Sequence, residues 1–183
     1  MILPMFRRNS DKCSISALYG AIVAQARSIS FYADFGVPDT VDGRFDLIVL
    51  HLVLLLHRLS RQNGAGRGVG QELFDIFCRD LDANLREMGV GDLAVPKKMR
   101  KFAEAFYGRQ KAYVAALAAA DQQDFEKALA RNIFPEAGIC SGAAWLARYA
   151  REALRGLEAQ EESALLRGEV VFPKPEAFAH AKA

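Results

Sequence analysis

Apolar residues recur along this chain at the three-and-four spacing of helices, and no stretch alternates with the period of two that marks a half-buried strand. Six segments carry the helical pattern. The first spans about Ser14 to Ala33, with Leu18, Ile22, Gln25, Ala26 and Ile29 at helical spacing and a Gly36-Val37-Pro38 breaker beyond it. The second follows Asp42-Gly43 and runs through Phe45, Leu47–Leu50 and Leu52–Leu56 to Leu59. It is apolar on nearly every face, so the other helices are expected to surround it. The third, Gln71 to Met88, aligns Leu73, Phe74, Phe77, Leu81, Leu85 and Met88 on one stripe, with Asp75, Arg79, Asp82 and Arg86 opposite. Gly89 is placed to end it in a left-handed turn.

The fourth segment opens near Pro96, a good first-turn residue, and presents Met99, Phe102, Ala103, Phe106, Tyr113 and Leu117 on its apolar side. A fifth, Gln122 to Phe134, stops at Pro135. The last long helix follows Ser141 as its N-cap and buries Trp145, Leu146, Tyr149, Leu154 and Leu157. The expected architecture is all-α: a single-domain bundle of about six main helices. A flexible N-terminus over 1–13 precedes the helical domain at 14–168. The tail over 169–183 is expected to be extended or disordered unless Phe172 and Phe178 dock it. The glycines from Gly64 to Gly70 predict the most mobile internal loop.

Composition narrows the class. A chain of 183 residues can bury one sizeable core, and 51% hydrophobic with 25% charged residues fits a globular domain. The net charge of +2 gives no argument for nucleic-acid binding from the whole molecule, only from a local patch. Cys13, Cys78 and Cys140 are odd in number and far apart, which points to buried thiols in a reducing compartment. The run Leu47–Leu56 is too short to cross a bilayer, which takes roughly 20 apolar residues.

Candidate chemistry is sparse. His51 and His57 are six residues apart, on different sides of a helix, and do not form a metal pair. His180 in the tail is expected to be solvated. Asp75, Asp80 and Asp82 have no second acidic cluster to complete a Mg²⁺ cage, so ion pairing on a solvated face is the better reading. The glycine stretch GAGRGVG follows a helix and lacks a P-loop ending. No metal site, cofactor site or catalytic residue is assigned. The basic cluster Lys97, Lys98, Arg100, Lys101, Arg109 and Lys111, with Glu104 as the acid among them, reads either as a solvated face or as a docking surface. Its partner in the second case is an acidic protein, ribosomal RNA or an anionic membrane.

FDLIVLHLVLLLHRL (Phe45–Leu59) and QELFDIFCRDLDANLREMGVGDLAVPKKMRKFAEAFYGR (Gln71–Arg109) resemble the ubiquinol–cytochrome c chaperone family. LREMGVGD (Leu85–Asp92) and FAEAFYGR (Phe102–Arg109) are the sharpest motifs, and the resemblance covers roughly Tyr19 to Leu165. It implies a helical, non-enzymatic assembly factor for the cytochrome bc1 complex, respiratory complex III. The implied client is newly made cytochrome b or another bc1 subunit. A small partner protein, the ribosome exit region and peripheral contact with a membrane are further implied partners, and DNA is not. The compact chain favours a bacterial cytoplasm, peripheral to the inner membrane, or a mitochondrial matrix in a eukaryote.

An apolar client asks for an exposed aromatic groove with a polar rim. Phe74, Phe77, Phe102, Phe106 and Tyr107 are the candidates to line it, with Tyr32, Trp145 and Tyr149 as further anchors, although core packing alone also needs most of these rings. The alternatives are a helical isoprenoid- or lipid-binding protein related to prenyltransferase-like folds, and a homodimeric scaffold without a client.

Overall fold

The computed structural model describes residues 3–61, 65–119 and 122–179, with side chains from Cys13 onward except at 65 and 122. Its elements are α1 (Leu3–Ala26), α2 (Ile29–Ala33), α3 (Val41–Ser60), α4 (Ala65–Glu87), α5 (Val95–Ala118), α6 (Gln122–Ile133), α7 (Ser141–Ala159) and α8 (Glu162–Leu166), then a 3-10 turn at Pro175–Ala177. No strand occurs among the described residues, so the chain is all-α, with six long helices and two short ones. The expected His180 lies outside the described residues.

α3 is the axis. Thr40 starts it: its hydroxyl accepts the Gly43 amide at 3.1 Å. Leu47, Val49, Leu50, Leu52, Val53, Leu54, Leu55 and Leu59 are then fully enclosed, because α1, α4, α5, α6 and α7 all pack against this helix. Each such side chain contributes roughly 1.5–3 kcal/mol by leaving water. The continuous apolar run in the sequence thus has its physical cause in burial on all sides.

Local signals set several boundaries. Gly89 has φ +78° and closes α4, and the Val90 amide reaches back to the Leu85 carbonyl at 3.0 Å. Pro96 occupies the first turn of α5. Other boundaries depart from expectation. The segment expected as one helix over Ser14–Ala33 begins earlier, at Leu3, and breaks at Arg27–Ser28, where the Tyr32 hydroxyl donates to the Ala26 carbonyl at 2.7 Å. Ser141 is the first helical residue of α7; the N-cap is Cys140, which makes no side-chain cap bond.

The glycine stretch is the largest correction. Ala65 to Gly70 belong to α4, and Gly66 and Gly70 are buried. A Cβ added at Gly70 would stand 3.4 Å from Leu56 Cδ2. At Gly70 the missing side chain lets α4 lie close on α3, and that packing outweighs the low helix propensity of glycine. The segment 62–64 lies outside the described residues.

The C-terminal segment docks, through the two phenylalanines on which docking was expected to depend. Phe172 stands edge-on to His51 at 5.2 Å, and Phe178 stands edge-on to Tyr149 at 5.7 Å. Gln160 grips the Val171 backbone twice: its amide nitrogen donates to the carbonyl and its oxygen accepts the N–H, both at 2.9 Å. Gln25 of α1 donates to the Pro173 carbonyl at 3.0 Å and to the Tyr149 hydroxyl at 3.0 Å. Tyr149 in turn donates to His51 Nε2 at 2.7 Å, and His51 Nδ1 donates to the Leu47 carbonyl at 2.7 Å. A carbonyl only accepts, so the proton sits on Nδ1 and Nε2 must accept from tyrosine. Four segments are tied together by one polar chain.

Complete burial depresses the His51 pKa to about 4, against the opposing pull of its bond to Leu47. The neutral ring therefore stabilises the fold fully above the unfolded value of about 6.5, and that stabilisation is lost as pH falls from there towards 4. His51→Gln should cost about 1–3 kcal/mol at neutral pH and should flatten the fall in the urea midpoint on acidification. Urea titrations of both proteins followed by circular dichroism, at several values between about pH 7 and 4, check this. An equally steep acid loss in the variant would refute it.

Candidate functional site

Aromatic rings gather where α3, α4 and α5 meet. Phe74 and Phe106 lie 4.8 Å apart, Phe77 and Phe106 5.9 Å, and Phe45 and Phe102 5.1 Å. Tyr107 continues the cluster outward, 5.9 Å from Phe74 and 5.5 Å from Phe106. The helical spacing of Phe74 and Phe77 on α4, and of Phe102 and Phe106 on α5, turns these rings toward the shared seam. Burial then divides them. Phe77 and Phe106 are core, each 2% exposed; Phe74 and Phe102 are half-buried; Tyr107 is 55% exposed.

A groove of about 210 Å³ runs beside the exposed half of this cluster. Leu56, Gly70, Phe74, Phe106 and Tyr107 give it an apolar floor and wall; Ser60, Gln71 and Gln110 line it with polar groups. Glycines Gly66 and Gly70 keep the floor low. Tyr32, Trp145 and Tyr149, the other expected anchors, are placed elsewhere, with the Tyr32 hydroxyl on the Ala26 carbonyl. Tyr149 is fully buried and occupied by His51 and Gln25. Trp145 is half-buried on α7 with its ring 6.1 Å from Phe35. The core claims Tyr149 because its hydroxyl satisfies the buried imidazole, a long-range pairing that spacing along one helix does not reveal.

The basic cluster also divides. Lys97, Lys98, Arg100, Lys101 and Lys111 are exposed on α5. Arg100 is paired with Glu104 at 3.1 Å. Arg109 leaves the patch: its side chain is 19% exposed, its Nη2 stands 2.7 Å from Asp46 Oδ1, and its guanidinium lies over the Phe45 ring at 6.0 Å. Its removal from the surface has a physical cause. Asp46 is a carboxylate on a helix enclosed all round, and a buried charge without a partner is far costlier than one with a guanidinium beside it.

Asp46 was the residue missed in the sequence, although a lone acid inside the apolar run FDLIVLHL is itself the signal. Burial pushes its carboxyl up to about 6, Arg109 pulls it down, and nearby Asp42 adds to the rise. An open cavity of about 740 Å³ reaches this pair between Phe45, Phe102, Asn132 and Glu136. A carboxyl near 6 in a cavity is a candidate general base. Here Arg109 already occupies it, and Thr40, Asp42 and Glu136 share the lining.

The acids on α4 are engaged separately. Asp75 accepts from Gln71 at 2.9 Å, Asp80 from the Tyr19 hydroxyl at 2.7 Å, and Asp82 from Arg86 at 2.6 Å. Arg79 donates to the Asp75 backbone carbonyl, not to its carboxylate. Among the described residues no three potential ligands converge as a metal cage. What the α4–α5 face offers is non-covalent: an apolar, aromatic groove with a polar border.

Residues 33–172 match the family described as Ubiquinol-cytochrome C chaperone. The chain is 26% identical over 168 residues to the Ubiquinol-cytochrome-c reductase complex assembly factor 1 of Xenopus laevis, spanning 90% of this chain and 84% of that protein. It is also similar to the crystal structure of the Cbp3 homolog from Brucella abortus, with a TM-score of 0.87 and 41% identity over 96% of this chain and 98% of that one.

The buried pair yields a pH signature. A raised carboxyl contributes stability fully below its unfolded value of about 3.9, and that contribution is lost as pH rises through about 6. Asp46→Asn should remove this loss, so its stability relative to the native chain should improve from about pH 4 to 7. Arg109→Met should do the reverse and cost about 3–5 kcal/mol at neutral pH by leaving the carboxylate alone. Urea midpoints across that range are the measurement; parallel curves for all three proteins would contradict the assignment.

Proposed function

The chain belongs to the ubiquinol-cytochrome C chaperone family, whose members assist assembly of the ubiquinol–cytochrome c reductase complex, and from that premise we propose that it holds newly made cytochrome b in the α4–α5 groove. It acts without catalysis. The observation that carries the reading is the outward end of the aromatic cluster: Tyr107 and half-buried Phe74 stand at the surface beside a groove, while the rings behind them are sealed in the core. Cytochrome b offers apolar helices before insertion, and aromatic anchors in a groove of this kind supply most of the energy in such contacts. The groove's glycine floor suits close approach of a second helix.

A small partner protein and the ribosome exit region are further contacts proposed for the same protein. No helix of the described residues is long and apolar enough to cross a membrane. The proposed place of action is a bacterial cytoplasm at the inner membrane, where the client is inserted.

Deletion in the native host should lower the bc1 complex, and cytochrome b should co-purify with the tagged protein. A photo-reactive residue at Tyr107 should cross-link cytochrome b, whereas one at exposed Glu152 on α7 should not. Tyr107→Asp should restore less complex than Glu152→Lys, at equal protein level. Full rescue by Tyr107→Asp, together with cross-links from α7 alone, would move the client off this groove. Normal bc1 content after deletion would end the chaperone reading for this chain.

A further inference from the structure

We propose that the turn joining α4 to α5 is a lipid-docking prong for an anionic bilayer surface, with Leu93 entering the interface and Lys97, Lys98 and Lys101 meeting the headgroup phosphates. Leu93 is 98% exposed and Met88, on the other side of the turn, is 64% exposed. The turn that carries them is fixed. Gly89 and Val90 close α4 behind it, and the Ala94 and Val95 amides both bond the Gly91 carbonyl, at 2.8 and 3.2 Å. Val95 is 1% exposed and anchors the start of α5. Leu93 is therefore held away from the core by structure on both sides, at the far end of a helical hairpin.

The charges around it favour an anionic surface. Asp92 and Asp82 share the single guanidinium of Arg86, which leaves one net negative charge on that group, and Glu104 is paired with Arg100. Lys97, Lys98 and Lys101 form no described ion pair, and these three cations outnumber the two net negative charges near the turn, Glu87 and the one left on the Asp82–Arg86–Asp92 group. The N-terminus of α5 adds its positive dipole end, and its cap residue Ala94 supplies no side-chain bond to the first amides. Exposed leucine and methionine beside lysines suit a lipid interface, where acyl chains take the apolar tips and phosphates take the cations. Against RNA the two aliphatic tips would have no role, since bases stack on aromatic rings. Tyr107 lies about 18 Å along α5 from its first turn, so the prong and the proposed client groove are separate surfaces. The inference does not depend on the client reading.

Vesicle flotation of the full chain tests it. The native protein should float with phosphatidylcholine vesicles carrying about 30 mol% phosphatidylglycerol and not with phosphatidylcholine alone, and about 0.5 M NaCl should reduce binding about tenfold. Leu93→Asp should reduce the bound fraction about tenfold, and so should the triple variant Lys97→Glu, Lys98→Glu, Lys101→Glu. All these positions are exposed, so thermal melts should be unchanged. Absence of flotation with the anionic vesicles overturns the proposal. So does a lysine effect without a Leu93 effect, which would mark a contact through charge alone. Lysine-dependent sedimentation with purified ribosomes, in the absence of vesicle binding, would assign the patch to RNA and equally overturn it.

Discussion

A stretch of helix enclosed on every side has no water to satisfy the polar groups it carries, and the buried part of α3 carries two. His51 and Asp46 sit among leucines and valines that are fully out of solvent. An unpaired polar group there is expensive, so each has recruited partners from elsewhere in the chain. His51 reaches Tyr149 on α7 and, through it, Gln25 on α1 and the Pro173 carbonyl. Asp46 draws Arg109 inward from α5. The apolar packing around α3 supplies bulk stabilisation, and these two demands select which helices stand where. Their acid–base responses run in opposite directions. Burial keeps the imidazole neutral, and it raises the carboxyl so that ionisation at neutral pH is opposed.

Much of this was legible along the chain where local chemistry decides the outcome. The apolar run of α3, the stripe of α4, the Gly89 terminus and the Pro96 start each follow from backbone conformation or from one helix's own periodicity. What escaped the reading depends on distant residues. Gly70 reads as part of a loop because its place in α4 rests on packing against Leu56 and Leu59 of another helix. Arg109 read as one more surface cation because its partner lies on α3. Tyr149 read as a possible anchor, whereas its hydroxyl belongs to the buried imidazole. Spacing predicts which face a residue occupies but not which partner waits there.

The same division shapes the surface. Of the rings proposed for a groove, Phe77 and Phe106 are consumed by packing, leaving Phe74, Phe102 and Tyr107 toward solvent. Of the basic residues, Arg109 is consumed by Asp46 and the lysines remain outside. α5 thus presents different chemistry at its two ends: lysines beside an apolar turn at the start, an aromatic groove further along. The length of α5 sets the distance between them.

The closing bond of the His51 network joins Gln25, near the beginning of the chain, to Pro173, near its end. During synthesis the glutamine emerges long before that carbonyl exists, whereas many domains complete their N-terminal parts as they are made. Until residues 170–178 are available, the pocket over His51 and Tyr149 lacks Phe172 and Phe178. Completion of this core therefore waits for residues 170–178. A chain interrupted before residue 170 would leave His51 and Tyr149 uncovered, and cellular quality control would meet it as an unfinished protein.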